Sequence, residues 1–132
     1  MRNALLFVAL LAFVFVSCET DTTMDVGEKT SAEINETFDA GTVIKGEIIN
    51  ATFTMKNTGE HPLVIAEVKG GCTCTVADYP KKPIPPGESG EIFAQVNTDK
   101  TGTGKINKSI RIVANTEDPS MQVYVKANVK PN

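Results

Sequence analysis

At 132 residues, with 41% hydrophobic and 22% charged residues, the chain has room for one globular domain and one core. Its net charge of -3, with acidic and basic residues interspersed, offers no basic stripe to neutralise phosphates, so nucleic acid is not an expected partner. About 100 ordered residues hide roughly two thirds of their unfolded surface, so stability requires no metal or cofactor.

Met1, Arg2 and Asn3 make a short positive start, and an unbroken apolar run follows from Ala4 to Val16. As a helix this run reaches only about 20 Å, against a hydrocarbon core of about 30 Å, so residues 1–17 read as a signal peptide rather than a membrane span. The run closes on Phe15-Val16-Ser17-Cys18, which resembles a bacterial lipobox, with Phe15 standing where leucine is usual. That resemblance implies cleavage before Cys18 and lipidation of Cys18. The mature protein would then sit in the cell envelope, on the periplasmic or outer-membrane side. Several acyl chains on one residue anchor durably where a single chain is marginal.

Residues 18–31 are polar and lack a helical or strand period, so they are expected to form a flexible tether. Within them Asp21-Thr22-Thr23 resembles the acceptor pattern for protein O-glycosylation in Bacteroidota, which makes Thr22 a candidate site. A plain solvated linker is the competing reading.

Residues 32–132 are dominated by a period of two. Short candidate strands run from Glu36 to Asp39 and from Leu63 to Lys69. Cleaner ones place Ile49, Ala51, Phe53 and Met55 on one face, then Ile92, Ala94 and Val96, then Ile110, Ile112 and Ala114. The last and clearest carries Met121, Val123, Val125, Ala127 and Val129. Asn57-Thr58-Gly59, Pro85-Pro86-Gly87-Glu88 and Asp118-Pro119-Ser120 are turn-formers between the runs. The pattern predicts an all-β, immunoglobulin-like sandwich of about seven strands, without the tryptophan and inter-sheet disulfide of antibody domains.

Chemistry is sparse along this domain. His61, the one histidine, follows an Asn-Thr-Gly turn and reads as an exposed loop residue, with nothing adjacent to build a triad. Gly102-Thr103-Gly104-Lys105 is superficially like a phosphate loop, but Ile106 occupies the Ser/Thr position and Asp99 that of the earlier glycine. A mobile glycine-rich hairpin is the better expectation there. Asp78, Tyr79, Lys81 and Lys82 are expected in a solvated loop, or rimming a protein-binding surface.

Cys72-Thr73-Cys74, preceded by Gly70-Gly71, is the one constellation with possible chemistry. With Cys18 lipidated these are the two remaining thiols, and export favours their oxidation. In an extended strand their Cα atoms would lie about 6.6 Å apart, near the edge of the disulfide range, and a bulge at the glycines would shorten this. Three readings stay open: a passive structural pair, a labile redox pair exchanging with an envelope oxidoreductase, and a soft-metal site, most plausibly for copper(I). Zinc is disfavoured for want of four ligands.

Phe38-Asp39-Ala40-Gly41-Thr42-Val43, Thr52 to Gly59 and Pro62 to Ile65 resemble the opening of the domain of unknown function 1573 family, known from exported Bacteroidota lipoproteins. Gly71 to Val76 and Ile84 to Gly90 match two further blocks of that family in the same order, and the resemblance spans Ile34 to Val129. It implies an immunoglobulin-like fold related to sperm-protein-like and ciliary adaptor sandwiches, and no established activity. The resulting expectation is a membrane-anchored, non-enzymatic module whose sheet edges and loops recognise another envelope protein, with no cofactor and no evident small-molecule substrate. A lipoprotein handling redox equivalents or copper through Cys72 and Cys74 is the alternative.

Overall fold

A computed structural model describes residues 28–132, so Cys18, Thr22 and the signal segment lie outside the described residues. Eight strands build the domain: β1 (Ala32–Ile34), β2 (Thr37–Ile44), β3 (Ile48–Asn57), β4 (Ile65–Gly70), β5 (Thr75–Asp78), β6 (Ser89–Asn97), β7 (Gly104–Ala114) and β8 (Ser120–Lys130). They form two four-stranded sheets, ordered β1-β3-β6-β5 and β2-β8-β7-β4.

The expected alternation holds residue by residue along β3, β6 and β8, where every second residue is buried except Met121 at the start of β8, which is partly buried. Phe53 pairs across to Ile92 and Ala51 to Ala94, so the inward face of the first sheet is continuous. The second sheet supplies Ile110, Ile112, Val123 and Val125 to the same cluster. Each such aliphatic or aromatic side chain contributes about 1.5–3 kcal/mol on burial, which is what holds the two sheets face to face.

All partners within the sheets are antiparallel except β2, which runs parallel to β8 along its outer edge. That edge is interrupted between Asp39 and Thr42, where Gly41 adopts a φ of 68° and its N–H donates to the Asp39 carboxylate at 2.8 Å. A left-handed residue there favours glycine, and the resulting bulge breaks the run of free edge groups.

Two expectations are corrected. The segment 102–105 is not the tip of a hairpin, because β6 and β7 lie in different sheets. The connection crosses the end of the sandwich through a single 3-10 turn at Thr98–Lys100, closed by the buried Thr98, whose hydroxyl donates to the Glu47 carbonyl at 2.6 Å. The packed domain also begins before Ala32. Thr30 is 4% exposed, its N–H donates to the Asn115 carbonyl at 2.9 Å, and its hydroxyl donates to Asn57 at 2.9 Å. Polarity alone assigns Thr30 to the tether, but it is drawn inside because Asn57 needs its hydroxyl.

The chain therefore enters at the end of the sandwich formed by Asn57 to Pro62 and Asn115 to Asp118. The start of β6 lies at that end, since Ser89 pairs with Lys56, and its last residue, Asn97, lies at the opposite one beside Ile48.

Candidate functional site

Cys72, Thr73 and Cys74 sit at that opposite end, in the connection that carries the chain from β4 in one sheet to β5 in the other. They do not lie on an extended strand. The Thr75 N–H donates back to the Cys72 carbonyl at 3.2 Å, closing a turn that brings the two Cα atoms to 5.2 Å, shorter than strand spacing gives. The two sulfurs are in direct contact. Cys74 is 4% exposed and belongs to the core, whereas Cys72 is partly exposed and packs against its margin.

The turn is pinned on both sides. The Gly71 N–H donates to the Ser109 carbonyl at 2.8 Å, extending the β4–β7 ladder by one bond, and the Asn97 N–H donates to the Cys74 carbonyl at 2.9 Å. The glycines permit this close approach. A Cβ on Gly70 would lie 2.7 Å from the Thr75 Cβ and 2.8 Å from the Thr75 carbonyl oxygen. Gly70→Ala must push two backbone segments apart, and overpacking of this kind costs about 1–3 kcal/mol. For a domain of this size that is a Tm lower by roughly 10 °C, read by calorimetry. An unchanged Tm would contradict the close approach.

Thr75 is the third member of the cluster. It is 8% exposed, and its hydroxyl oxygen stands 3.6 Å from each sulfur. Among the described residues no group of three or more His, Cys, Asp or Glu side chains gathers, so the pair presents two sulfur ligands and no third.

The strand that follows is an open edge of its sheet, and its side chains invert the usual rule. Thr75 points in and Val76 points out, 69% exposed. On the neighbouring strand Phe93 is 49% exposed, paired with Asp78 on one side and Thr52 on the other. The outer face of β5 and β6 thus carries an aliphatic and an aromatic residue at the sheet edge, directly after the cysteine turn, with Thr75 packed on Gly70 and the rest of β5 unpaired on its outer side. Phe93 was legible as an outward residue in an alternating run. Val76 was not, because four residues are too few to establish a period.

The remaining candidates separate in space. His61 is half-exposed at the chain-entry end, its Nδ1 2.6 Å from the Glu28 carboxylate, and its carbonyl accepts from Asn57 at 2.8 Å. It is far in the fold from the cysteines. Tyr79 and Lys81 follow β5, with the Tyr79 hydroxyl donating to the Ala66 carbonyl at 3.1 Å and the Lys81 ammonium 3.1 Å from the ring centroid. An open groove of about 480 Å³ crosses the outer face of β2, β8 and β7, lined by Asp39, Thr42, Lys105, Asn107, Lys126 and Asn128. Sequence reading missed it, since its residues come from three separate segments joined by register alone.

Two four-stranded sheets in this order, with no helical layer among the described residues, define a sandwich of the PapD-like and immunoglobulin-like class. The chain is similar in fold to a PapD-like domain of human CEP192, with a TM-score of 0.56 and 12% identity over 79% of this chain and 88% of that one. It is similar also to the periplasmic chaperone SfaE, with a TM-score of 0.50 and 7% identity over 77% of this chain and 57% of that one. A crystal structure of a protein of unknown function from Porphyromonas gingivalis W83 matches with a TM-score of 0.68 and 24% identity over 78% of this chain. The match spans about half of that protein's length, 48%. No curated protein matches. The chain belongs to the family described as protein of unknown function DUF1573, whose pattern matches residues 31–129.

Proposed function

We propose that the protein is an envelope lipoprotein, anchored through Cys18, whose sandwich is a non-enzymatic module that binds a segment of another envelope protein along β5. The observation that carries this reading is the pair of exposed apolar residues, Val76 and Phe93, beside an open strand edge. An added strand would gain main-chain hydrogen bonds from β5 beyond Thr75, whose N–H is given to Cys72, and set a side chain beside Val76, with Phe93 one strand further in as apolar ground for a long side chain. Aromatic residues in such positions dominate interface energetics. The other edges suit a partner less well. β1 has three residues, β2 is broken by its bulge, β4 is irregular between Ile65 and Glu67, carries Glu67 and Lys69 and has its Ala66 carbonyl taken by Tyr79, and the half of β7 that β4 leaves uncovered carries Lys105 and Lys108.

Topology also supports an anchored module. The chain enters the domain at one end, and the nine residues of β6 separate that end from the cysteine turn, a distance of about 27 Å. A lipid at Cys18 would leave the β5 end free to meet a partner.

The test is a double substitution, Val76→Glu with Phe93→Glu, in the full-length protein. Both residues are exposed, so Tm is expected to move by no more than about 2 °C, while recovery of crosslinked partner from membranes falls at least about tenfold. Retained crosslinking would remove β5 as the binding edge. The anchor is tested separately by intact mass of the membrane-extracted protein, expected to begin at Cys18 and to carry acyl chains. An unlipidated chain would refute it.

A further inference from the structure

We propose that Cys72 and Cys74 form a reducible disulfide that exchanges with a dithiol through Cys72, and that the Thr75 hydroxyl holds the departing Cys74 sulfur. This stands on the geometry of the turn and does not depend on whether β5 binds a protein.

The sulfurs are unequal. Cys72 is partly exposed and Cys74 is 4% exposed, so an incoming thiolate reaches the Cys72 sulfur and not its partner. In the first step the thiolate of a dithiol attacks Cys72 Sγ, the bond between the two protein sulfurs breaks, and Cys74 Sγ leaves with the electron pair. A mixed disulfide then joins the dithiol to Cys72. In the second step the remaining thiolate of the dithiol attacks its own bridged sulfur, releasing Cys72 and closing the disulfide in the reductant. Two electrons pass to the protein, and the two protons lost by the dithiol end on Cys72 and Cys74.

Thr75 is placed for the first step. Its hydroxyl is 3.6 Å from both sulfurs in a nearly closed environment, so on cleavage it can donate to the Cys74 thiolate where few waters reach. A hydrogen bond to an ionised group is the stronger kind and favours the leaving sulfur. The turn also favours reclosure. Gly71 and Cys74 are bonded to the flanking strands β7 and β6 through their backbones, so the reduced sulfurs stay within reach of each other. A bridge across one residue removes little loop entropy from the unfolded chain, which leaves it a small structural role.

The experiment uses the full-length protein, oxidised, with dithiothreitol as the dithiol. Reduction is followed by acid quench, alkylation and mass analysis of the tryptic peptide beginning at Gly70, which keeps Cys18 out of the readout. The native bridge is expected to open without denaturant. Thr75→Val should slow opening by about three- to tenfold, the rate equivalent of losing one such hydrogen bond, and Thr75→Ser should restore it. With glutathione disulfide, Cys74→Ser is expected to form a mixed disulfide at Cys72 at least about ten times faster than Cys72→Ser does at Cys74. Equal rates for the two single-cysteine variants would overturn the assignment of Cys72, even if Thr75→Val failed to fold. A Thr75→Val protein that folds and opens at the native rate would remove Thr75 from the step. A bridge that opens only in denaturant would make the pair purely structural.

Discussion

Asn57→Ala is expected to cost the domain about 3–5 kcal/mol, a large share of the roughly 5–15 kcal/mol that holds a domain of this size together. The side chain is fully buried at the end of β3 and all its hydrogen-bonding capacity is used. Its carbonyl oxygen accepts from the Thr30 hydroxyl at 2.9 Å and from the Gly59 N–H at 3.1 Å, and its amide donates to the His61 carbonyl at 2.8 Å and the Ile84 carbonyl at 2.9 Å. One residue thus fastens the incoming chain, the loop after β3 and the loop before β6. Alanine leaves the Thr30 hydroxyl and the His61 carbonyl without a partner, while the Gly59 N–H keeps the Ser31 carbonyl and the Ile84 carbonyl keeps the Leu63 N–H; each orphan costs about 1–3 kcal/mol where water cannot replace it, and the lost bonds to Gly59 and Ile84 add to that. Urea unfolding checks this, and a loss below about 1 kcal/mol would show that the end of the sandwich is wetter than its burial implies.

Phe53→Ala is expected to cost a similar amount, about 3–5 kcal/mol, for a different reason. Phe53 is 0% exposed and lies opposite Ile92 in the inter-sheet cluster, so truncation removes apolar contact and leaves a cavity among β-branched neighbours with little freedom to close it. Phe93→Ala, one position along from Ile92 on the opposite face of the same sheet, is expected to change stability by no more than about 1 kcal/mol. The two phenylalanines form an internal control. Comparable losses for both would mean that the register of β3 and β6 is misplaced by one residue, since a one-residue slip exchanges the faces.

The long strands were legible because each has enough residues to display a period and one face against the core. β3, β6 and β8 are cases in point. β7 was legible from Ile110 onward, where β4 covers it. Its earlier half, from Gly104 to Ser109, has no strand on that side among the described residues, and its side chains are correspondingly less buried. β1 and β5 were not found, having three and four residues, and β5 puts a threonine in and a valine out, against the hydrophobic rule. The eight strands agree with the expected count of about seven.

For the site, composition and spacing single out Cys72 and Cys74 and allow either strand spacing or a shorter approach at the glycines, without distinguishing them. The turn depends on contacts remote in sequence, the Gly71 bond to Ser109 and the Cys74 bond to Asn97, which no local pattern reveals. Thr75 was passed over for the same reason. A threonine beside two cysteines acquires meaning only when a turn points all three side chains to one place.

The reading of this protein as a binding module is tested most directly by site-specific photocrosslinking in intact cells. A photoreactive residue replaces Phe93 in one variant and Gln122, on the outer face of the other sheet, in a second. A discrete crosslinked species of higher mass is expected from position 93, in the membrane fraction, and none from position 122. Equal crosslinking from both positions, or none from position 93 with the protein folded and present at the membrane, would contradict that reading.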